Sequence, residues 1–490
     1  MSKKWSSLFY VLIVTGLGAV IYWIVQKGHT LQGHHVISKA VGAAGAEQDS
    51  FTLFKDAFHH NLTEPLAILL LQIIVIISFA RLFGFLFKKI GQPAVIGEIV
   101  AGIVLGPSII GAYFPDINNF LFPVSSLVTL QFISQIGLIL FMFIIGMELD
   151  LKAICKQAYG AVIISHASII IPYALGMGLA YFLYNTYAPD GISFLSFALF
   201  MGITMSITAF PVLARILQEK GLTRSRMGAM ALTCAAADDL TAWCILAAVI
   251  ALVKSGSSIS VLFTIGFSLA FVLLMLKVVH PMLEKLGNVY TKKQKLQTPI
   301  IAALFMILIV SSYITSVIGI HALFGAFIAG VVMPSNINFR KIVIDKIEDV
   351  SIILLLPLFF VITGLRTQIG LLNTANLWIT FGWVLLVAVA GKFGGSALAA
   401  RIVGQSWKDS LSIGVLMNTR GLMQLIVLNI GYDLGILSPE IFAMMVLMAL
   451  VTTFMTGPAL DLINYLIPEK HHLVEHPGNV HVNAENSTVL

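Results

Sequence analysis

Two adjacent carboxylates, Asp238 and Asp239, stand in the run Ala235-Ala-Ala-Asp-Asp-Leu-Thr-Ala-Trp243, inside a long apolar stretch. A charged residue at the centre of a bilayer costs at least about 2.5–3.5 kcal/mol on insertion scales, so two in succession need a task. Neighbouring helical residues point about 100° apart, so one carboxylate can face a cation pathway while the other faces a counter-charge. Lys392, in Leu385-Leu-Val-Ala-Val-Ala-Gly-Lys-Phe-Gly-Gly395, is also deep in apolar sequence. A buried lysine tends to lose its proton unless a carboxylate stays close, and Asp238 and Asp239 are its natural partners. In water an aspartate titrates at about 3.9. Apolar surroundings disfavour a charged carboxylate, so a proton and a cation compete for one site. The enzymatic alternative, an intramembrane aspartyl protease, needs its carboxylates on separate segments facing one water, which adjacent residues cannot arrange.

Two interruptions flank this chemistry. In Thr204-Met-Ser-Ile-Thr-Ala-Phe-Pro-Val212, Pro211 removes a backbone donor. The freed carbonyls and the hydroxyls of Ser206 and Thr208 are hard oxygen ligands suited to an alkali cation. In Met417-Asn-Thr-Arg-Gly-Leu-Met-Gln424, the residues Asn418, Thr419, Arg420 and Gly421 put polar groups at membrane depth. Irregular backbone there is tolerated where it is buried in protein or lines a cavity. Glu98, near an interface in Gln92-Pro-Ala-Val-Ile-Gly-Glu98, is a candidate gate, with helix capping the competing reading. His321 reads as packing. The three cysteines have no metal-ligand spacing.

These residues need membrane helices to hold them. Of 490 residues, 58% are hydrophobic and 11% charged, too few charges for a water-facing surface. Mean hydropathy is +0.95. Apolar stretches of about 20 residues recur, and barrel-type alternation is absent. The reading is an all-α polytopic membrane protein with fourteen spans. Residues 1–27 form an N-terminal anchor in preference to a signal peptide, and 28–64 an extracytoplasmic linker. Residues 65–466 form a membrane domain of thirteen helices, and 467–490 a short cytoplasmic tail. The core spans are expected at about 65–87, 95–112, 125–147, 158–184, 193–217, 228–253, 259–284, 297–318, 321–334, 349–365, 376–401, 409–432 and 438–466. With the amino terminus inside, 22 of the 29 Lys and Arg fall on the cytoplasmic side. Lys27, Lys39, Lys55, Lys254 and Arg366 fall outside, and Lys392 and Arg420 lie within the membrane. The net charge of +6 therefore needs no nucleic-acid partner.

An internal repeat is visible. Ile99-Val-Ala-Gly102-Ile-Val-Leu-Gly-Pro107 resembles Phe327-Ile-Ala-Gly330-Val-Val-Met-Pro334, and Leu138–Gly146 resembles Leu356–Gly364 in the same order. In the span count the copies enter from opposite sides, the usual build of a secondary transporter, with its site at their interface.

Together with Gly137–Asp150, Ala209–Arg215, Ala237–Trp243 and Asn418–Leu425, the stretch Gly91–Ser108 resembles the cation:proton antiporter-2 family of monovalent cation/proton antiporters, closest to the branch of plant cation/proton exchangers. The resemblance implies thirteen helices in inverted repeats with two crossed broken helices, an elevator-type core beside a dimerisation domain, and a homodimer in the cell (inner) membrane. It implies exchange of Na+ or K+ for protons in pH homeostasis, with no cofactor. Asp239 would bind cation and proton competitively, Asp238 would pair with Lys392, and Thr208 and Ser206 would line the site. Two departures stand out: Asp238 where that branch has Asn, and Gln424 where it has Glu. A potassium-efflux or channel-like transporter and a cation-coupled solute symporter are the alternatives.

Overall fold

The computed structural model describes residues 15–27, 50–148, 158–222, 225–255, 258–285, 298–334 and 336–467. The chain divides into two units, Met1–Ala67 and Ile68–Leu490. In the first, helices cover 15–27 and Ser50–Leu62. The second helix carries His59 and His60 and lies within 28–64, the stretch expected as an extracytoplasmic linker. The expected span before residue 15 and the tail after 467 lie outside the described residues.

The membrane domain is all helix, with no strand among the described residues. Its helices are α1 (Pro65–Lys89), α2 (Ala94–Leu105), α3 (Val124–Glu148), α4 (Ala158–Tyr187), α5 (Phe194–Ser206), α6 (Phe210–Glu219), α7 (Arg226–Ser255) and α8 (Ser258–Leu274). There follow α9 (Thr298–Ile318), α10 (Ala322–Val331), α11 (Ile337–Glu348), α12 (Leu356–Arg366), α13 (Ala375–Val389), α14 (Gly395–Ile402), α15 (Trp407–Met417), α16 (Leu422–Asp433) and α17 (Pro439–Leu466). Among the described residues, eleven helical runs are long and apolar enough to cross a membrane, and Phe194–Ser206 and Ala322–Val331 are apolar but shorter. Helix α1 is strongly apolar yet mostly unburied within the protein, as befits a surface facing hydrocarbon.

Two expectations change. The span expected at 349–365 belongs to a run that begins at Ile337, because α11 passes through a π turn at Asp349–Leu355 into α12. The charged sequence of α11, which reads as loop, is anchored by Arg340. Its guanidinium donates to Pro334 O (2.7 Å), Met333 O (2.9 Å) and Met147 O (2.6 Å), carbonyls left over at the ends of α10 and α3. His321, read as packing, is the N-cap of α10, its ring accepting from Leu323 N at 3.4 Å.

Glycines set the closest helix approaches. A Cβ on Gly102 of α2 would run into the backbone of Val361 and Gly364 of α12. One on Gly146 of α3 would run into Phe327 and Gly330 of α10. Gly97 approaches the backbone of Phe83 on α1, and Gly325 that of Ser311 on α9, each five residues before Gly102 and Gly330. Small residues are what allow backbones to touch where lipid offers no hydrophobic drive for association.

Gly102→Ala and Gly330→Ala should each lower the melting temperature in detergent, since overpacking a close contact costs about 1–3 kcal/mol. Gly266→Ala, with open space around its Cβ, should melt with the natural protein or slightly above it. Equal melting of all three would refute the packing role.

Candidate ion-exchange site

The expected span at 193–217 is two half-helices. α5 ends at Ser206 and α6 begins at Phe210, with Ile207, Thr208 and Ala209 between them. Pro211 takes the second position of α6, where its missing N–H is not needed. The span at 409–432 is likewise broken: α15 ends at Met417 and α16 begins at Leu422, leaving Asn418, Thr419, Arg420 and Gly421. The two breaks touch, because Ala209 N donates to Thr419 O at 3.0 Å. A Cβ on Gly421 would lie 2.8 Å from Val212 Cγ2 and 3.2 Å from Ala209 Cβ, so glycine permits the crossing.

Each half-helix leaves its last four carbonyls without intrahelical donors, and no water is at hand to take them. At the end of α5 all four are met. Ser206 Oγ donates to Ile203 O (2.9 Å), Arg420 Nη1 to Thr204 O (2.9 Å), Arg420 Nη2 to Met205 O (2.8 Å) and Lys392 Nζ to Ser206 O (2.5 Å). At the end of α15, Asn418 N and Thr419 N serve Gly414, Val415 and Leu416, and Thr208 Oγ1 shares its one proton between Asp238 Oδ2 at 2.8 Å and Met417 O at 3.1 Å. Both buried cations therefore sit at the negative end of a helix dipole.

Asp238 is fully engaged. Its Oδ1 accepts from Ser165 Oγ (2.5 Å). Its Oδ2 accepts from Ser168 Oγ (2.6 Å), Thr208 Oγ1 (2.8 Å) and Lys392 Nζ (2.9 Å). Lys392, fully buried in a π turn at Ala390–Gly394, spends its three donors on Asp238, Ser206 O and Ser168 O, the last at 2.8 Å. Ser168 O is available because Pro172, four residues on within α4, has no N–H to offer it. Gly391 lets the π turn come against Pro172: a Cβ there would sit 2.9 Å from Pro172 Cα.

Asp239 is the opposite case. It is 2% exposed, and among the described residues neither carboxylate oxygen has a hydrogen-bond donor. One turn further along α7, Trp243 is 1% exposed, its Nε1 also lacks a partner, and its ring stacks on Phe327 of α10 at 6.2 Å. Four residues apart, Asp239 and Trp243 share a helix face. A buried carboxylate without donors is a strongly unfavourable arrangement on its own, and a proton or a bare cation is what would relieve it.

Residues 74–463 match the family described as sodium/hydrogen exchanger, transmembrane. The chain belongs to this family. It is 41% identical over 397 residues to the Na(+)/H(+) antiporter NhaS4 of Synechocystis, covering 81% of this chain and 97% of that one. It is 42% identical over 398 residues to cation/H(+) antiporter 17 of Arabidopsis thaliana, and 34% over 417 to K(+)/H(+) antiporter 1 of Saccharomyces cerevisiae. It spans about half the length of these last two, 48% and 47%. The sodium proton antiporter MjNhaP1 of Methanocaldococcus jannaschii shares its fold, with a TM-score of 0.59 at 15% identity, over 83% of this chain and 100% of that one.

Within this exchanger fold, Asp238, Thr208, Ser206, Lys392 and the two breaks come together. Ser206 contributes its backbone carbonyl, while its hydroxyl turns back to Ile203 O. Glu98 is half-buried in α2, and the cavity that reaches Arg420 and Gly421 is lined from α2 by Val95, Ile96 and Ile99 instead. Gln424 Oε1 accepts from Arg420 Nη1 at 3.3 Å, so the Gln-for-Glu departure places a neutral amide beside the guanidinium. The sequence reading missed Ser165, Ser168 and Pro172. The available signal was a proline in an apolar helix with a serine four residues before it.

Lys392→Ala should destabilise the protein by about 3–5 kcal/mol, because it strands a buried carboxylate. Removing both charges, as Asp238→Asn with Lys392→Met, should cost less than either single change. Thermal unfolding in detergent checks this, and additive losses would contradict a coupled pair.

Proposed function

We propose that this protein is a secondary active transporter that exchanges Na+ or K+ for protons at Asp239. The observation that carries the reading is the contrast between two neighbouring carboxylates, Asp238 saturated by four donors and Asp239 by none. Relatives named as Na(+)/H(+), cation/H(+) and K(+)/H(+) antiporters support the same activity. Deprotonation creates the cation site, and cation binding holds the carboxylate ionised, so each ligand displaces the other. Linkage then requires apparent cation affinity to rise with pH until Asp239 is fully ionised.

Alternating exposure by an elevator-type movement completes the proposal. Its support is reciprocal glycine packing: the first repeated block, at Gly102, packs on the second block of the other copy, at Gly364. Gly146 and Gly330 make the converse pair. Such an exchange of partners is what two inverted halves produce. Around the site, α4, α5, α7 and α13–α16 form one group and α1–α3 with α9–α12 another. They meet at apolar contacts such as Trp243 on Phe327.

The Asp238–Lys392 pair is proposed as a second proton-handling element. Both partners also bind the break between α5 and α6, through Thr208 and Ser206 O, so rearrangement there would alter the pair. Two protons per cation would make transport electrogenic, with about 2.3 kcal/mol per net charge per 100 mV.

In proteoliposomes, adding Na+ or K+ should drive proton counter-flow in the natural protein and none in Asp239→Asn. Retained exchange in that variant would overturn the site. The half-saturating cation concentration should fall as pH rises. An imposed potential should change the natural rate and not that of an active Lys392→Ala; indifference of the natural protein to potential would remove the second proton.

A further inference from the structure

Polar contact between the two helix groups is concentrated at one place. Arg366, the last residue of α12, donates from Nη1 to Asp433 Oδ1 (2.9 Å) and Asn429 Oδ1 (3.0 Å), both on α16. Its Nη2 donates to Gln131 Oε1 on α3 at 2.8 Å. Gln131 Nε2 closes the ring on Asp433 Oδ2 at 3.0 Å. Asn429 Nδ2 adds a bond to Thr363 Oγ1 on α12 at 2.9 Å, and the guanidinium lies 5.7 Å from the ring centre of Tyr432. An isolated surface ion pair contributes little. Here one guanidinium meets three acceptors on two helices, its side chain is 22% exposed, and the ring borders a cavity. That cavity runs between the groups, with Ser134 and Leu138 of α3, Phe359 and Ile362 of α12, and Ile426 and Ile430 of α16 in its walls.

The position of α16 gives the ring its consequence. Asp433 ends the half-helix whose first turn adjoins Arg420 and Gly421 at the break. A helix of this length is a rigid strut of about 18 Å, so holding one end fixes the other relative to α3 and α12. We infer that Arg366, Gln131, Asn429 and Asp433 form a latch that clamps α16 to α3 and α12 and closes the cavity between the helix groups. The latch has to open for the groups to move past each other, an inference that rests on the alternating-exposure reading above. In the orientation derived from the distribution of positive charge, it closes the outer side.

Ser134→Cys places a thiol in the cavity wall, and its labelling by a membrane-impermeant methanethiosulfonate in proteoliposomes reports opening. The natural cysteines are controlled by the same protein without Ser134→Cys. Arg366→Gln and Asp433→Asn should each raise the labelling rate on the order of tenfold or more, the scale of one lost charge-assisted hydrogen bond. Gln131→Leu, which removes a neutral partner, should act in the same direction more weakly and serves if the charge variants fail to fold. Labelling unchanged in these variants overturns the latch. Loss of exchange in Asp239→Asn with unchanged labelling in Arg366→Gln refutes the latch alone. Faster labelling in Arg366→Gln with exchange surviving Asp239→Asn supports the latch and refutes the exchange site alone.

Discussion

A backbone carbonyl that loses its helical donor inside a membrane has no water to turn to, and much of this structure follows from that constraint. The breaks after Ser206 and Met417 expose such carbonyls where the chain crosses itself, and Arg420, Lys392 and Thr208 meet them. Prolines create the same need within continuous helices. Pro172 frees Ser168 O for Lys392, Pro357 frees Ile353 O for Arg81, and Pro458 frees Phe454 O for Gln92. Arg420, Lys392, Arg81 and Gln92 therefore stand where the helix ladder is interrupted, each donating to a carbonyl the backbone leaves over.

This explains how two cations are tolerated so deep. Lys392 and Arg420 are each fully buried, yet each faces the carbonyl end of a half-helix, which carries partial negative charge. Asp238 supplies the full counter-charge to Lys392, and serines of α4 occupy its remaining lone pairs. The outcome is a polar knot held between α4, the α5–α6 break and the π turn, in which Arg420 Nε alone of the two cations' donor groups has no partner among the described residues. Asp239, one residue on, is rotated out of that knot and toward Trp243.

Most of the membrane architecture was legible from apolar run lengths, and the burial of Asp238, Asp239 and Lys392 from the apolar sequence around them. The two breaks were legible through Pro211 and the polar run Asn418–Gly421. Three things were not. Helix α11 was hidden because its charges read as loop, although the Asn336 cap, the buried face of Phe339, Val343 and Ile347, and Arg340's bonds to the ends of α3 and α10 account for a helix there. Ser165 and Ser168 were hidden because a serine in an apolar helix is usually satisfied by its own backbone; their role depends on which helix packs alongside. Arg366 counted as a loop charge, since nothing in the chain order places Gln131 or Asp433 beside it.

Taken by itself, with the Asp238–Lys392 pair intact and no second proton moved, the proposed exchange at Asp239 also has an electrostatic logic. Lys392 and Arg420 with Asp238 leave one positive charge in the site. With Asp239 protonated the total is one positive charge; with Asp239 ionised and one alkali cation bound it is again one. The two loaded states thus look alike to the surrounding helices. With neither ligand, Asp239 is a bare carboxylate without donors, set against the apolar contact of Trp243 on Phe327. Carrying that uncompensated charge through an apolar seam is heavily penalised, whereas a proton or a cation neutralises it locally. Under the proposed mechanism, obligatory exchange needs no separate gate at the carboxylate: the unloaded state is the one an apolar seam would reject, and the saturation of Asp238 leaves Asp239 as the group proposed to be loaded.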